Sequence, residues 1–222
     1  MTAAPPRPIG LAPGAPEEAA GQDERKYSTS NPVVRRLIGR WLERLRSHVP
    51  AGHGLLLDVG LGEGLALERL GLAGARPVVG VEYRFDKLVA ARRRLPAAAG
   101  VRADAGMLPV ATGRAEVVTC IEVLEHLVAP AAAVAELARA CGAGGVCVVS
   151  VPWEPWFRLG NLGRGKNVRA LGNDPEHVQQ FSPARLAALL STGFESVWVD
   201  RCFPWLIGLA VSPRRGSEPG PR

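Results

Sequence analysis

Carboxylate and imidazole side chains that can do acid–base chemistry lie close together in the run Glu122-Val123-Leu124-Glu125-His126. Such groups move protons to and from reacting atoms, and together they also ligate divalent ions such as Mg²⁺, Mn²⁺ or Zn²⁺. If the chain is helical here, Glu122 shares a helix face with Glu125 or His126. A further histidine, His177, follows a later strand-like run and can complete the set. These are the candidate catalytic residues and the candidate metal ligands: Glu122, Glu125, His126 and His177.

A glycine-rich turn is the second segment with chemical potential. The apolar run 55–59 leads directly into the sequence GLGEG at 60–64. Glycine lets the backbone turn tightly and approach a ligand with no Cβ in the way. Leu65 stands where the dinucleotide pattern GxGxxG has its third glycine, which argues against NAD. In a parallel-sheet fold, ligands lie at the carboxyl ends of such strands.

Two acids follow the next strand-like runs. Glu82 ends the run VVGVE, about 20 residues after the first glycine, where a carboxylate accepts hydrogen bonds from a ribose diol. Asp104 follows a third run and can accept a hydrogen bond from an adenine amino group, while Met107 and Leu108 can pack against the ring. Each acid alone is typical of a solvated surface. Together, after a glycine turn, they predict a nucleoside site.

Strand-like and helix-like patterns alternate around these residues. Apolar runs at 55–59, 78–81, 117–121 and 146–151 are separated by helical patterns at 64–72, 85–95 and 130–141. This alternation predicts an α/β fold in which helices cover both faces of a parallel sheet. The runs 197–199 and 206–211 are expected to close the sheet as two further strands.

The segment before the sheet divides into two parts. Residues 1–30 are rich in proline, alanine and glycine, which predicts disorder, and the tail 212–222 has the same character. Asn31 and Pro32 predict a helix start, and the helix extends to about residue 48. Its arginines at 36, 40 and 44 form a row that suits either a solvated face or contact with an anionic lipid surface.

These motifs carry a resemblance to a known superfamily. The segments DVGLGEG, GVEYR, ADAGMLP and EVVTCIEVLEHL occur in the order found in class I S-adenosylmethionine-dependent methyltransferases, including those of methyltransferase type 11. The resemblance covers roughly residues 30–211 and implies one domain with a Rossmann-like, doubly wound, mostly parallel sheet of seven strands. It implies S-adenosylmethionine as cofactor. The residues expected to bind it are Asp58, Gly60, Gly62, Gly64, Glu82, Tyr83, Asp104, Ala105, Met107 and Glu122.

The acceptor chemistry is left open between several alternatives. The run from Glu122 to His126 with a later histidine resembles the ubiquinone-pathway O-methyltransferases and also the small-RNA 3′-terminal 2′-O-methyltransferases, which implies a divalent metal. A histidine that acts as a base or lines the pocket without a metal is the second interpretation, and a purely structural role is the third. The usual Pro-Gly-Gly before the fifth strand is Ala143-Gly144-Gly145 here, which leaves the turn plausible.

An insertion at 152–177 is expected to lie over the active site as a lid, because it leaves the fifth strand at the carboxyl edge. Its aromatic residues are followed by cations, a combination that suits a flat or acyl-bearing acceptor with an anionic group. Packing of the tryptophans on the core with solvated cations is the alternative. The residues concerned are Trp153, Trp156, Phe157, Arg158, Arg164, Lys166 and Arg169.

We therefore expect O-methylation of a small-molecule or lipid-like, anionic acceptor. A metal-dependent RNA 2′-O-methyltransferase and a non-catalytic S-adenosylmethionine-binding protein are the alternatives. The formal charge of +6 is compatible with an anionic acceptor or a peripheral membrane contact, whereas no DNA partner is expected and RNA is disfavoured because no RNA-binding module is recognisable. Four cysteines without a CxxC pair, and the lack of a secretory signal pattern, predict a cytoplasmic protein. The sequence predicts no oligomeric state.

Overall fold

The computed structural model describes residues 27–163 and 177–212. Seven strands form one sheet, and we number strands and helices in chain order. The strands are β1 Leu56–Val59, β2 Val78–Glu82, β3 Ala99–Arg102, β4 Ala115–Ile121, β5 Cys141–Pro152, β6 Ser196–Cys202 and β7 Trp205–Val211. The helices are α1 Pro32–His48, α2 Leu65–Arg69, α3 Phe85–Arg94, α4 Pro130–Ala140, α5 Trp156–Gly163 and α6 Pro183–Leu190, with a 3-10 turn at Leu124–His126.

The sheet order is β3-β2-β1-β4-β5-β7-β6. Strands β1 to β5 pair in parallel, and β7 pairs antiparallel with both β5 and β6. The strand order reverses between β1 and β4, and ligands of open α/β sheets bind at the carboxyl ends on either side of such a reversal. The predicted doubly wound, mostly parallel, seven-stranded α/β sheet is confirmed.

Hydrophobic side chains form a core on each face of the sheet. On one face, α4 and α6 pack their buried residues against the central strands: Val134, Leu137, Leu186 and Leu190. On the other face, α1, α2 and α3 contribute Ile38, Trp41, Leu45, Leu67 and Ala91. The central strands are buried on both sides, which explains their nearly continuous apolar sequence.

The predicted start of α1 is confirmed in detail. Asn31 Oδ1 accepts hydrogen bonds from the backbone N–H groups of Val33 and Val34 at 3.0 and 3.2 Å, and Pro32 occupies the first turn. A side-chain oxygen at this position satisfies N–H groups that have no partner within the helix.

The described chain begins before the predicted domain boundary at residue 30. Tyr27 packs against the core on the α1 face, and the guanidinium of Arg69 lies 5.4 Å from the centre of its ring. The packed part of the chain therefore includes Tyr27, three residues before the predicted boundary, and the disorder expected for the preceding residues stays a prediction. The other residues expected to be disordered lie mostly at 1–26 and 213–222, outside the described residues.

Element boundaries differ from the sequence-based expectations mainly at the ends. The helix expected at 64–72 is the shorter α2, since Leu70 caps its end and Gly71 then adopts a left-handed φ of 63°. Strands β5, β6 and β7 are longer than the apolar runs that predicted them, because pairing continues past the apolar residues. Within the ranges that the structure describes, no helix has the length and apolar character to cross a membrane.

Candidate active site

The glycine turn joins the carboxyl ends of β1 and β2. The backbone N–H groups of Gly60 and Leu61 both donate to the carbonyl of Val81, at 2.8 and 3.0 Å. Gly60 has a φ of 83°, in the region that favours glycine. A Cβ at this position would lie only 2.1 Å from Val123 Cγ2, so a side chain here would force the side chain of Val123 to move. The turn therefore depends on glycine both for its conformation and for its contact with Val123.

Glu82 lies at the end of β2 and faces the glycine turn. Its Oε2 accepts a hydrogen bond from the N–H of Gly62 at 2.8 Å, and its Oε1 accepts one from the N–H of Arg84 at 2.8 Å. The residue is 9% exposed. A carboxylate oxygen has two lone-pair sites, so each oxygen retains one for a hydroxyl group. The geometry fits the predicted binding of a ribose diol.

Asp58 is a buried acid in the middle of the sheet, in β1. The hydroxyl of Thr119 donates to its Oδ1 at 2.6 Å. Burial raises the pKa of Asp58 to about 6, the hydrogen bond from Thr119 opposes this shift, and the charge of Glu82 adds to it. A positively charged ligand group beside Asp58 would favour the ionised form.

Asp104 and its loop form the third part of the site. Asp104 Oδ1 accepts a hydrogen bond from the N–H of Gly106 at 2.7 Å, whereas its Oδ2 is buried and has no partner among the described residues. A buried acceptor oxygen without a hydrogen-bond partner suits the adenine amino group that is predicted to bind there. Met107 is 72% exposed beside it, whereas Leu108 is buried and packs with the core, so the predicted ring contact of both residues stays a prediction.

The remaining predicted cofactor residues take different positions. Tyr83 is 36% exposed, and its backbone carbonyl accepts a hydrogen bond from Arg102 Nε. Ala105 is half-buried and packs against the core from the loop of Asp104. Gly62 and Gly64 have φ values of 56° and 81°. All of these residues follow the carboxyl ends of β1, β2 or β3, as the sequence predicted.

Glu122 follows β4 and adopts a backbone conformation that is uncommon for a residue with a side chain, with a φ of 56°. Its Oε1 accepts a hydrogen bond from Trp205 Nε1 at 2.9 Å. The 3-10 turn begins only at Leu124, so Glu122 does not share a helix face with Glu125 or His126. The expectation of one common helix face is therefore wrong, because the chain turns sharply between β4 and the 3-10 turn.

Three of the four candidate ligands do come together. Single donor atoms of Glu125, His126 and His177 lie within 4.8 Å of one another. Glu125 is 1% exposed, and the two histidines are half-buried with ring centres 5.1 Å apart. The N–H groups of Val178 and Gln179 both donate to the backbone carbonyl of Glu125, which fixes the returning chain beside the 3-10 turn. Glu122 is not part of this group.

The described part of the insertion borders this group. Phe157, in α5, lies with its ring centre 5.7 Å from that of His177. Trp153 stands edge-on to Trp156 at 6.4 Å. Arg158 belongs to the same helix, while the predicted cations Arg164, Lys166 and Arg169 lie outside the described residues. The aromatic part of the insertion therefore lies next to this group of one carboxylate and two imidazoles, which we call the candidate acceptor side.

Sequence reasoning missed Thr119 and Trp205. Thr119 is a hydroxyl within the otherwise apolar run VVTCI, and this polar interruption of a central strand was the signal available. Trp205 contacts Glu122 from 83 positions away, and no local pattern indicates such a pairing.

Comparison with known proteins identifies related chains. A family model described as "Methyltransferase domain" matches residues 57–149. A Mycobacterium tuberculosis protein named "probable S-adenosylmethionine-dependent methyltransferase" is 27% identical over 204 residues, covering 83% of this chain and 70% of that protein. A "ubiquinone biosynthesis O-methyltransferase" of Bordetella parapertussis is 38% identical over 94 residues, covering 40% and 36% of the two chains.

The fold also matches solved structures. The S-adenosylmethionine-dependent methyltransferase from Mesorhizobium loti superposes with a TM-score of 0.60 at 18% identity, covering 79% of this chain and 99% of that one. At this identity the likeness concerns the fold.

Proposed function

Because the chain belongs to the class I S-adenosylmethionine-dependent methyltransferases, we propose that it methylates an oxygen atom of a small-molecule or lipid-like acceptor. The observation that carries this proposal is the gathering of Glu125, His126 and His177 after β4, beside the aromatic part of the insertion. These groups can remove a proton from a hydroxyl, and the aromatic rings can line an apolar pocket.

The cofactor is assigned to the crevice at the ends of β1, β2 and β3. S-adenosylmethionine, when bound, supplies an electrophilic methyl group on a sulfonium. In our proposal Glu82 holds its ribose, and Asp104 Oδ2, which is buried without a partner among the described residues, accepts the adenine amino group. Asp58 lies on the methionine side, together with the N–H groups of the glycine turn. The acceptor oxygen must approach the methyl carbon from the side opposite the sulfur, so holding cofactor and acceptor in this alignment supplies much of the rate acceleration.

On the acceptor side, His126 is the group that we propose to take the hydroxyl proton. Its ring is half-buried and stands edge-on to that of His177, with ring centres 5.1 Å apart, so part of it remains open to an acceptor. Oxygen is favoured over nitrogen as the acceptor by the partial match to the Bordetella ubiquinone biosynthesis O-methyltransferase. The aromatic rings of Trp153 and Phe157 favour an apolar acceptor.

We further propose that Glu125, His126 and His177 can hold a divalent ion. One carboxylate and two imidazoles are a donor set that suits Zn²⁺ or Mn²⁺, and their spacing within 4.8 Å permits a shared ion. An ion there would lower the pKa of an acceptor hydroxyl. Without an ion, the same residues retain the role of base and pocket wall.

The test is transfer of a labelled methyl group from S-adenosylmethionine into a fractionated cell extract, with and without EDTA. Label in the organic-soluble fraction supports the acceptor proposal, and loss of transfer with EDTA that Mn²⁺ or Zn²⁺ restores supports the ion. Label in RNA would overturn the acceptor proposal and favour the RNA 2′-O-methyltransferase alternative. His126→Ala should retain cofactor binding and lose turnover by about a hundredfold, within the range for removal of a general base.

A further inference from the structure

An exposed apolar tip lies beside the candidate acceptor side. Trp156 and Leu159 are 43% and 53% exposed on the outward face of α5, and Phe203, in the turn between β6 and β7, is 44% exposed. The ring centres of Trp156 and Phe203 are 6.3 Å apart, so the two segments form one surface. We call Trp156, Leu159 and Phe203 the aromatic tip. Neighbouring large apolar side chains at a surface commonly mark an interaction site.

Cations border this tip on one side. The guanidinium of Arg201 lies 5.9 Å from the ring centre of Trp153, which in turn contacts Trp156. Arg201 and Arg40 line a groove of about 480 Å³ between α1 and β6, and the chain passes from this groove directly to Phe203. We call Arg40 and Arg201 the basic rim.

The charges in the groove are unevenly paired. Arg44 is bound to Asp200, which also contacts His48, so this acid is already neutralised. Within the described ranges, neither Arg40 nor Arg201 has an ion-pair partner. Glu43 also lines the groove, and the excess of positive charge there rests on the basic rim.

We propose that the aromatic tip and the basic rim form a docking surface for an anionic lipid bilayer. Tryptophan and phenylalanine side chains insert readily at the level of the headgroups, and arginine side chains are attracted to anionic lipids. Arg201 reaches the tip through its contact with Trp153, and Arg40 lines the adjoining groove, so the cations border the tip along the edge strand β6. The net charge of +6 acts in the same direction over a longer range.

A membrane fits this surface better than a protein partner. A stable protein interface buries about 800 Å² on each side and combines a broad apolar centre with a polar rim. The aromatic tip consists of only three side chains, on α5 and on the turn between β6 and β7, and so small an apolar surface suits shallow insertion. Trp156 and Leu159 are one helical turn apart and the helix has no charged residue between Leu159 and Gly163.

Docking in this orientation places the candidate acceptor side at the lipid surface. The next residue after Trp156 is Phe157, whose ring contacts His177, so α5 connects the tip to the site. The docking surface does not rest on the proposed acceptor, because its contacts are with the bilayer. It would nevertheless give the enzyme direct access to a membrane-dissolved acceptor.

The experiment is co-sedimentation of the full chain with vesicles, in the absence of cofactor and acceptor. Vesicles of phosphatidylcholine alone are compared with vesicles of equal parts phosphatidylcholine and phosphatidylglycerol. We expect binding to the mixed vesicles that weakens as salt is added. The double variant Arg40→Gln, Arg201→Gln should bind about 25-fold more weakly, or roughly fivefold for each cation. The double variant Trp156→Ser, Phe203→Ser should bind the mixed vesicles at least about tenfold more weakly, even at low salt.

Matched controls come from the opposite end of the sheet. Arg92→Gln with Arg93→Gln makes the same change in net charge on exposed residues of α3, and Phe85→Ser removes an aromatic ring that is 61% exposed. Both controls should bind vesicles like the unmodified protein, and circular dichroism should show every variant folded. Equal loss in the α3 controls, or no sedimentation of the unmodified chain with mixed vesicles, would overturn the proposal. Because no methyl transfer is measured, this outcome is separate from that of the label-transfer test.

Discussion

Trp205 donates a hydrogen bond to Glu122, over 2.9 Å from indole Nε1 to carboxylate Oε1, while its ring stacks on Trp41 with centres 4.7 Å apart. Trp41 in turn donates from its own Nε1 to Ser150 Oγ at 2.9 Å. Glu122 is thus held, in a left-handed conformation that costs about 1–2 kcal/mol, by a residue of β7 that also anchors α1. The first helix of the domain and the residue after β4 are connected through one pair of indoles.

We predict that Trp205→Phe weakens catalysis more than it weakens the fold. Phenylalanine keeps a ring to stack on Trp41 but removes the N–H that holds Glu122. Glu122 is predicted to act in catalysis and cofactor binding, and a hydrogen bond to a charged group contributes about 1.5–3 kcal/mol. If Glu122 acts in the transition state, loss of this bond should lower kcat/KM roughly tenfold or more. Steady-state kinetics with the identified acceptor and urea unfolding measure the two effects.

The control for Trp205 is Trp41→Phe. It removes the donation to Ser150 and leaves the hydrogen bond to Glu122 in place, so it should lower stability by about 1 kcal/mol with little change in kcat/KM. Equal losses of kcat/KM in Trp205→Phe and Trp41→Phe would show that the hydrogen bond to Glu122 does not cause the loss of activity.

Replacement of Asp58 by asparagine should stabilise the protein in the absence of cofactor. The folded pKa of about 6 lies above the ordinary value of 3.8, so the folded state holds a proton that the unfolded chain releases between those values. The contribution of Asp58 to stability is therefore lost as pH rises from about 4 to 6 and is not regained above. At neutral pH the variant avoids a buried charge, and its free energy of unfolding should be about 1–3 kcal/mol higher.

The same Asp58→Asn variant should bind S-adenosylmethionine more weakly, since it cannot offer a negative charge to the methionine side. Unfolding in urea at several pH values, together with calorimetric binding, tests both statements. A variant that is less stable at neutral pH than the unmodified protein would contradict the stabilisation. Thr119→Val, which removes the hydrogen bond to Oδ1, should have the opposite effect on stability.

Gly60→Ala should be far more disruptive than a second glycine substitution with a similar φ. The new Cβ would meet Val123 at 2.1 Å, in addition to the strain of an L residue at a φ of 83°. At Gly71, where φ is 63°, nothing lies within 4 Å of the added Cβ, so only the backbone strain remains. We expect a loss of about 1 kcal/mol for Gly71→Ala and about 3 kcal/mol with loss of cofactor binding for Gly60→Ala. Similar unfolding midpoints for the two variants would exclude Val123 as the cause.

Asp104→Asn should reduce cofactor affinity without altering the fold. Asparagine can still accept from the N–H of Gly106, which would turn its amide nitrogen towards the place of Oδ2. Two donors would then face each other if an adenine amino group binds there, at a cost of about 1–3 kcal/mol, or roughly ten- to hundredfold in Kd. Asp86→Asn, an exposed acid paired with Arg84, is the control and should bind normally. Unchanged calorimetric affinity in Asp104→Asn would remove this residue from the adenine site.

The sequence predicts the surroundings of the glycine turn better than the surroundings of Glu122. Gly60, Glu82 and Asp104 each follow a strand, and parallel strands bring their carboxyl ends to one edge, so local patterns are sufficient to place them together. Glu122 departs from expectation because its orientation depends on Trp205, a residue of a distant strand. Leu108 could not be assigned to the core from the sequence, since the direction of a side chain in a loop has no periodicity to reveal it.

The two hydrogen bonds that Val178 and Gln179 donate to the carbonyl of Glu125 also bear on how this enzyme can diverge. Both bonds join backbone groups, so they do not depend on which side chains stand at positions 178 and 179, provided that neither is proline. Substitution of those two side chains is therefore expected to leave His177 beside the 3-10 turn. The surroundings of the two histidines can change in this way while the position of the histidines is kept.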